Sequence, residues 1–341
     1  MARAKPRVTV LLGDPGLPDR SKPGGRYNPE DLDAMARMKA ALAAEERYTL
    51  DFIDRHEGLP ARLAAAPPDF VLNLCDVGYR NRAERELHIP ALLDLWDIPY
   101  SGSGPAALAF CVDKAAVLGA ARDVGVPVPG QRFYERPQDF GTIDLPYPLI
   151  VKPNRTDGSF GITRDAVVRG DGEARACLAM LAELLPGEPV LLQEYLEGRE
   201  FSVGVLGNAA AGYATLPPLE VDYSGLPAGL APILSYESKS IPDSPYWIDI
   251  SFRRAALDTD TEARLRDLAV RMMRRTGCRD YARCDFRTGS DGTIRLLEVN
   301  PNPAWAWDGK LALMAGFAGW RHGELLCRIV DIARARCGLT G

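Results

Sequence analysis

The chain has 341 residues, 46% of them hydrophobic and 26% charged, with 41 Lys and Arg against 46 Asp and Glu and a formal net charge of −5. That length exceeds what one hydrophobic core normally serves, so two or three domains are expected in an ordinary soluble globular protein. The basic residues are spread rather than clustered, which gives no electrostatic reason to expect nucleic acid or an anionic membrane as partner.

The first apolar run, Val8 to Leu12, is too brief for a signal core or a membrane span and reads as a buried strand. Seven cysteines, an odd number without CxxC spacing and mostly set in apolar patterns, point to reduced, buried thiols in a cytoplasmic protein. The three histidines are too scattered for a zinc site.

Residues 1 to 105 alternate strand and helix signals: Val8–Leu12, a helix Pro29–Ala44, Tyr48–Ile53, a short helix at Ala61–Ala65, Phe70–Leu74, a helix at Ile89–Leu95, then Pro99-Tyr100. Such alternation predicts a parallel sheet with helices on its faces. The 29–44 helix sets Leu32, Met35, Met38 and Leu42 on one stripe, and it opens with Asn28 as cap, Pro29, Glu30 and Asp31. Ser101-Gly-Ser-Gly-Pro105 marks a boundary or hinge. A helix from Asp113 to Val124 follows, and then Val126-Pro-Val-Pro129, which must be extended.

Tyr147–Pro153 reads as a strand delivering Lys152 into a glycine-containing loop, Asn154–Gly161, where backbone amides can cradle an anion beside the ammonium. Neither common phosphate fingerprint is present. A helix at 173–185 and strands at 190–196, 200–206 and 211–216 come next. The Pro-, Ser- and Gly-rich stretch from Pro217 to Phe252 reads as long loops able to close over a site. After a helix from Thr261 to Thr276, Tyr281–Arg287 and Thr293–Asn300 flank Asp291-Gly292, a hairpin signal; a terminal helix runs from about Glu324 to Arg336.

An even loop centred on Asp291-Gly292 sets Asp285 opposite Glu298 and Arg283 opposite Asn300, all on one face. Ala282, Cys284, Phe286, Leu297 and Val299 then form a core stripe on the other. Facing carboxylates with Cβ atoms roughly 5 Å apart destabilise a sheet unless neutralised. Two carboxylates and an amide suit Mg²⁺ or Mn²⁺, which also takes substrate phosphates; Arg283 and Arg287 are the competing neutralisers.

The ordered series Asp113-Lys114, Val151-Lys152-Pro153 with its loop, Gln193-Glu194-Tyr195-Leu196, Glu200, Lys239, Arg283-x-Asp285 and Glu298-x-Asn300 resembles the ATP-grasp superfamily over nearly the whole chain, and within it the D-alanine–D-alanine ligases. The resemblance implies an α/β (α+β composite) ATP-grasp fold: an N-terminal parallel α/β domain at 1–105, a central subdomain at 106–189 and a C-terminal subdomain at 190–341. It further implies ATP and two Mg²⁺ ions as cofactors, with small-molecule substrates and a homodimer through the N-terminal domain. Lys114, Lys152 and the loop at Gly158 and Ser159 would meet the phosphates. Gln193, Glu194, Tyr195 and Leu196 would read adenine, Glu200 the ribose, and Lys239 the α-phosphate side. Asp285, Glu298 and Asn300 would hold metal, and Arg283 would steady the oxyanion. Catalytic roles thus fall on Arg283, Lys239 and Ser159. A substrate carboxylate would attack the γ-phosphorus, and an amine would then displace phosphate from the acylphosphate.

The substrate side departs from the family. The N-terminal glutamate is missing, with Asp14 or Asp19 as substitutes. Gly158 stands at the loop serine and Ser240 at the later tyrosine. After Asn300 the chain reads Pro-Asn-Pro-Ala-Trp-Ala-Trp307, with Lys310 placed to meet a carboxylate and Trp305 or Trp307 to wall the pocket. Three readings stay open: a carboxylate–amine ligase with substrates other than two D-alanines, with true D-alanine ligation as its narrower case; an ATP-grasp enzyme with another acceptor or phosphoryl transfer alone; and a non-catalytic nucleotide-binding protein.

Overall fold

The computed structural model describes residues 5–20, 22–141 and 143–339. Residues 1–4, 21, 142, 340 and 341, which include the start of the N-terminal stretch, lie outside the described residues. The chain begins with β1 (Arg7–Leu11), α1 (Pro29–Ala44), β2 (Thr49–Ile53), α2 (Leu59–Ala65), β3 (Val71–Asn73) and α3 (His88–Leu95). These strands pair in the order β2-β1-β3, all parallel, as the strand–helix alternation requires. Helix α1 starts where the sequence places it. Asn28 Oδ1 accepts from the Asp31 amide at 2.9 Å and Asp31 returns the bond to the Asn28 amide at 2.9 Å, a reciprocal cap. Met35, Met38 and Leu42 are buried, but Leu32 is 49% exposed, so the stripe begins one turn later than its spacing predicts.

Next come α4 (Pro105–Val112), α5 (Lys114–Asp123), β4 (Gln131–Tyr134), β5 (Leu149–Pro153), β6 (Val167–Val168), α6 (Asp171–Leu184) and β7 (Val190–Glu194). The strands form an antiparallel sheet, β4-β7-β5-β6, with α6 packed on it through Ala174, Cys177, Leu178 and Leu181. Helix α4 and strand β4 escaped the sequence reading.

The remainder supplies β8 (Glu200–Asn208), β9 (Gly212–Thr215), β10 (Leu219–Asp222), α7 (Glu237–Ser240), α8 (Pro245–Ile248), β11 (Ser251–Arg254), α9 (Thr259–Arg275), β12 (Asp280–Thr288), β13 (Ile294–Asn300), α10 (Lys310–Phe317) and α11 (His322–Arg336). Its sheet runs β11-β10-β8-β12-β13, with β9 also on β8. The stretch expected to be loops throughout, 217–252, therefore holds β10, two short helices and the start of β11, because Leu219 and Val221 extend the apolar alternation into the core.

One face of this sheet packs on α9, α4 and α5 through Val203, Val205, Ala282, Cys284, Phe286 and Leu296. The other side joins a core shared with β1 and α1, in which Leu325, Leu326, Ile329 and Val330 of α11 lie beside Val8, Val10, Met38 and Leu42. The glycine turn at 101–104 is docked rather than loose. The Gly102 amide donates to Asp280 Oδ2 at 2.8 Å and its carbonyl accepts from Arg279 Nε at 2.9 Å. Asp280, fully buried and at φ 67°, is held by Arg336 Nε and Nη2 and by Asn208 Nδ2 at 2.8 to 2.9 Å. This cluster ties the end of the N-terminal sheet, the last helix and the first residue of β12 together.

Candidate active site

The β12–β13 hairpin pairs Arg283 with Asn300 and Asp285 with Glu298, the facing expected from sequence. The route to that register differs. Thr288 pairs with Ile294 and the Gly289 amide donates to the Thr293 carbonyl, so the loop is odd, with Gly292 in the left-handed region at φ 74°. A bulge at Leu297 then shifts the register back by one, which puts Leu296 instead of Leu297 on the core stripe. Two irregularities cancel, and the carboxylates face each other as the simpler geometry requires.

Asp285 is the electrostatic centre. Arg283 Nε and Nη2 each donate at 2.9 Å, Ser202 Oγ donates at 2.6 Å, Asn300 Nδ2 at 3.3 Å, and Lys310 Nζ stands 3.9 Å away. Burial alone would raise its carboxyl pKa, but the Arg283 and Lys310 charges outweigh it and hold the group well below the usual carboxylate range. Glu298 receives only a long contact from Asn300 Nδ2 at 3.4 Å. Two facing carboxylates and an amide oxygen fit a hard divalent cation. Arg283 holds the place of one ligand contact and would have to yield an oxygen of Asp285.

Around this pair gather three lysines. Lys114, at the first turn of α5, is 6% exposed and donates to the Thr156 carbonyl. Lys152, at the end of β5, is equally buried and donates to Gln193 Oε1 at 2.8 Å; burial and the Lys114 charge push its pKa down to about 8, against the opposing pull of Glu298 and Glu200. Lys239 in α7 has an exposed stem, with its ammonium among the charges of Glu298, Lys310, Arg283 and Asp285. Desolvation lowers its pKa to about 8; Lys310 and Arg283 add to the fall, and Glu298 and Asp285 oppose it. Lysines gathered here, with Lys152 and Lys239 desolvated until their protons loosen, fit a polyanion such as a triphosphate, which would favour their charged forms.

The loop after Lys152 bends through consecutive left-handed residues, Gly158 at φ 64° and Ser159 at φ 62°. Ser159 Oγ donates to the Leu234 carbonyl at 2.7 Å, the Tyr236 amide donates to the Ile162 carbonyl at 2.7 Å, and Phe160 meets Tyr236 edge-on at 5.9 Å. The two segments expected to close over the cleft thus close on each other. Asp157 in this loop was missed by the sequence reading; it lies among the charges of Lys114, Glu298, Lys239 and Arg283.

At the strand β7 end, Glu194 Oε2 accepts from the Gly130 amide at 3.0 Å, and Tyr195 OH donates to the Pro232 carbonyl at 3.3 Å under the Arg287 guanidinium. Leu196 is buried. Glu200 accepts from Tyr223 OH at 2.7 Å and from Arg287 Nη1 at 3.3 Å.

The expected substrate residues divide. Lys310 belongs to the cluster, 11% exposed beside Asp285. Trp305 Nε1 donates to Asp76 Oδ1 at 3.2 Å, so this ring lines the same wall as Asp76. Trp307 stacks under Arg37, 45% exposed. Asp14 stands apart: its oxygens accept from the Gly16 and His56 amides at 2.9 Å and from Arg55, which shapes the loop after β1. Two further acids, Asp76 and Glu86, lie beside the residues that follow β13, and Glu86 is within the field of Asp157. Asn302 Nδ2 donates to Glu86 Oε1 at 2.8 Å, and Tyr281 OH holds Asn302 Oδ1 at 2.6 Å. Burial lifts the Asp76 pKa to about 6, with Lys22 and the Trp305 bond opposing, and burial beside Asp157 lifts Glu86 well above the ordinary range. The sequence signal for Asp76 was its place just past β3, at the carboxyl end of a parallel sheet, where ligands gather; Glu86 carried none.

A cleft between two antiparallel sheets, edged by lysines and closed by paired loops, is the ATP-grasp arrangement. The D-alanine–D-alanine ligase from Bacillus anthracis superposes with a TM-score of 0.73 over 98% of this chain and 100% of its own, at 21% identity. The VanG D-Ala:D-Ser ligase from Enterococcus faecalis does so with a TM-score of 0.68 over 96% and 99%, at 18% identity. The sequence profile of the D-ala D-ala ligase C-terminus matches residues 134–331. The D-alanine–D-alanine ligase of Bordetella petrii is 30% identical over 92% of this chain and 91% of its own length. An uncharacterised Sinorhizobium fredii protein, y4sG, is 32% identical over 74% and 71%. The chain belongs to the D-alanine–D-alanine ligase family of ATP-dependent ligases. Among the described residues no helix is long and apolar enough to cross a membrane.

Proposed function

We propose that this protein is an ATP- and divalent-cation-dependent ligase that joins a small carboxylic or amino acid to an amine through an acylphosphate, with a substrate pair other than two D-alanines. The observation that carries this reading is the gathering of Lys114, Lys152, Lys239 and Arg283 around the facing carboxylates Asp285 and Glu298.

In this reading Lys114, Lys152 and Lys239 neutralise the triphosphate, and the Gly158-Ser159 turn covers its end. Gln193, Glu194, Tyr195 and Leu196 flank the base, and Glu200 the ribose. Asp285, Glu298 and Asn300 hold the cation, which supplies charge stabilisation to the transferring phosphoryl group. Arg283, once released from Asp285, steadies the oxyanion that forms when the amine attacks the acyl carbon. The Ser159–Leu234 latch keeps water from the acylphosphate. Lys310 meets a substrate carboxylate, and Asp76 and Glu86 receive a substrate amino group, which supports an acid pair unlike the family's single glutamate.

The test pairs amino acids with amines, follows ATP-dependent phosphate release and identifies products by mass. Amide product from a pair other than D-alanine with itself, with a hydroxylamine-trappable intermediate, supports the proposal. Turnover confined to D-alanine overturns its substrate half, and phosphate release without amide overturns its ligase half.

A further inference from the structure

Cys111, near the end of α4, and Cys278, two residues before β12, place their sulfurs 3.8 Å apart across 167 residues of sequence. Both are buried, at 7% and 4% exposure. Thr276 Oγ1 lies 3.2 Å from Cys278 Sγ, near enough to donate to a thiolate there, although it also reaches the Met272 carbonyl at 2.7 Å. An open crevice of about 330 Å³ is lined by Ala107, Phe110, Arg274, Arg275, Thr276 and Gly277, chain neighbours of the two cysteines, with neither cysteine in its wall. A small oxidant in this crevice meets Phe110 and Gly277, the residues next to the two cysteines, and Arg274 and Arg275 give the crevice a positive lining. Cys284, the nearest other thiol, is wholly buried and donates toward the Ala269 carbonyl at 3.7 Å.

We propose that Cys111 and Cys278 form a modification site, a dithiol that hydrogen peroxide converts to an intramolecular disulfide. The Cys278 thiolate attacks one peroxide oxygen, the O–O bond breaks, and the departing hydroxide takes a proton to leave as water, giving a sulfenic acid. The Cys111 sulfur then attacks that sulfur and its thiol proton passes to the sulfenic oxygen, so the S–O bond breaks and a second water leaves. The two thiols lose two electrons and two protons, and one peroxide becomes two waters. Closure needs the sulfurs to come from 3.8 Å to about 2.05 Å. The new bond would fasten α4, which leads directly into Asp113 and Lys114, to the turn just before the strand that carries Arg283 and Asp285.

The folded protein is treated with peroxide, its remaining thiols are alkylated, and unreduced peptides are mapped by mass. A linked Cys111–Cys278 peptide is expected, with a melting temperature several degrees above that of the reduced protein. Neither the link nor the shift appears in Cys111→Ser or Cys278→Ser. In Cys111→Ser a dimedone adduct forms on Cys278, whereas Cys278→Ser leaves Cys111 unlabelled. Full alkylation of both thiols after peroxide, a dominant link to Cys284, or labelling of Cys111 overturns the proposal.

Discussion

The side of the cleft proposed to hold phosphate and the side proposed to hold the acid and amine are built in opposite ways. On the phosphate side, the Arg283, Asp285 and Glu298 charges come from one hairpin, Lys152 from a strand end and Lys114 from the first turn of α5, and both oxygens of Asp285 already have donors. On the substrate side, Asp76 and Glu86 come from loops of the N-terminal unit and are oriented by Asn302 and Trp305 from the loop after β13. Chemistry common to a family is set on rigid pairing, whereas selectivity is set where two units meet and loop sequence is free to vary.

The largest effect should follow from Glu298→Gln, which keeps the shape but removes a carboxylate whose contact with Asn300 Nδ2 is long, at 3.4 Å. ATP-dependent phosphate release should fall by about a thousandfold or more, with little change in melting temperature. Next is the joint between the two sides. Arg336→Met leaves Asp280 buried without its cation, which should cost about 3–5 kcal/mol in chemical denaturation and disturb both sides at once.

Glu86→Gln should separate the two sides. The KM for the amine substrate should rise about tenfold to a hundredfold, with the KM for ATP unchanged. Equal changes in both would deny the division drawn here.

Lys152 sharpens the contrast through pH. Its folded pKa is lowered from 10.5 to about 8, so below pH 8 both folded and unfolded chains carry the charge and its desolvation opposes folding in full. Stability contributed by this group rises as pH climbs from about 8 toward 10.5, where only the unfolded chain keeps the proton. A bound triphosphate favours the ammonium, so nucleotide binding near pH 8.5 should take up protons. Calorimetry in buffers of different ionisation enthalpy would detect the uptake, and Lys152→Met should reduce it. The smallest change is Gly292→Ala at φ 74°, expected to cost about 1 kcal/mol in thermal melts without touching catalysis.

How much of this could be read from residues alone follows the same division. Asp285 facing Glu298 was legible because pairing has period two and Asp-Gly fixes a turn, although the odd loop and the bulge were invisible to that argument. Lys152 was legible as a strand-end ammonium before a glycine loop. Helix α4 was hidden behind a turn signal, and β10 inside a Pro-rich stretch whose Leu219 and Val221 find partners only in the folded core. Glu86 was illegible because its meaning depends on Asn302, 216 residues away, and Asp14 misled because its neighbours' backbone amides already hold it.

The paired irregularities of the β12–β13 hairpin set a rule for engineering it. Lengthening the 289–293 turn by one residue would need removal of Leu297 to keep residues 285 and 298 face to face, so tolerated length changes should come in compensating couples. A library that varies the turn and position 297 independently should therefore return its active members along a single diagonal.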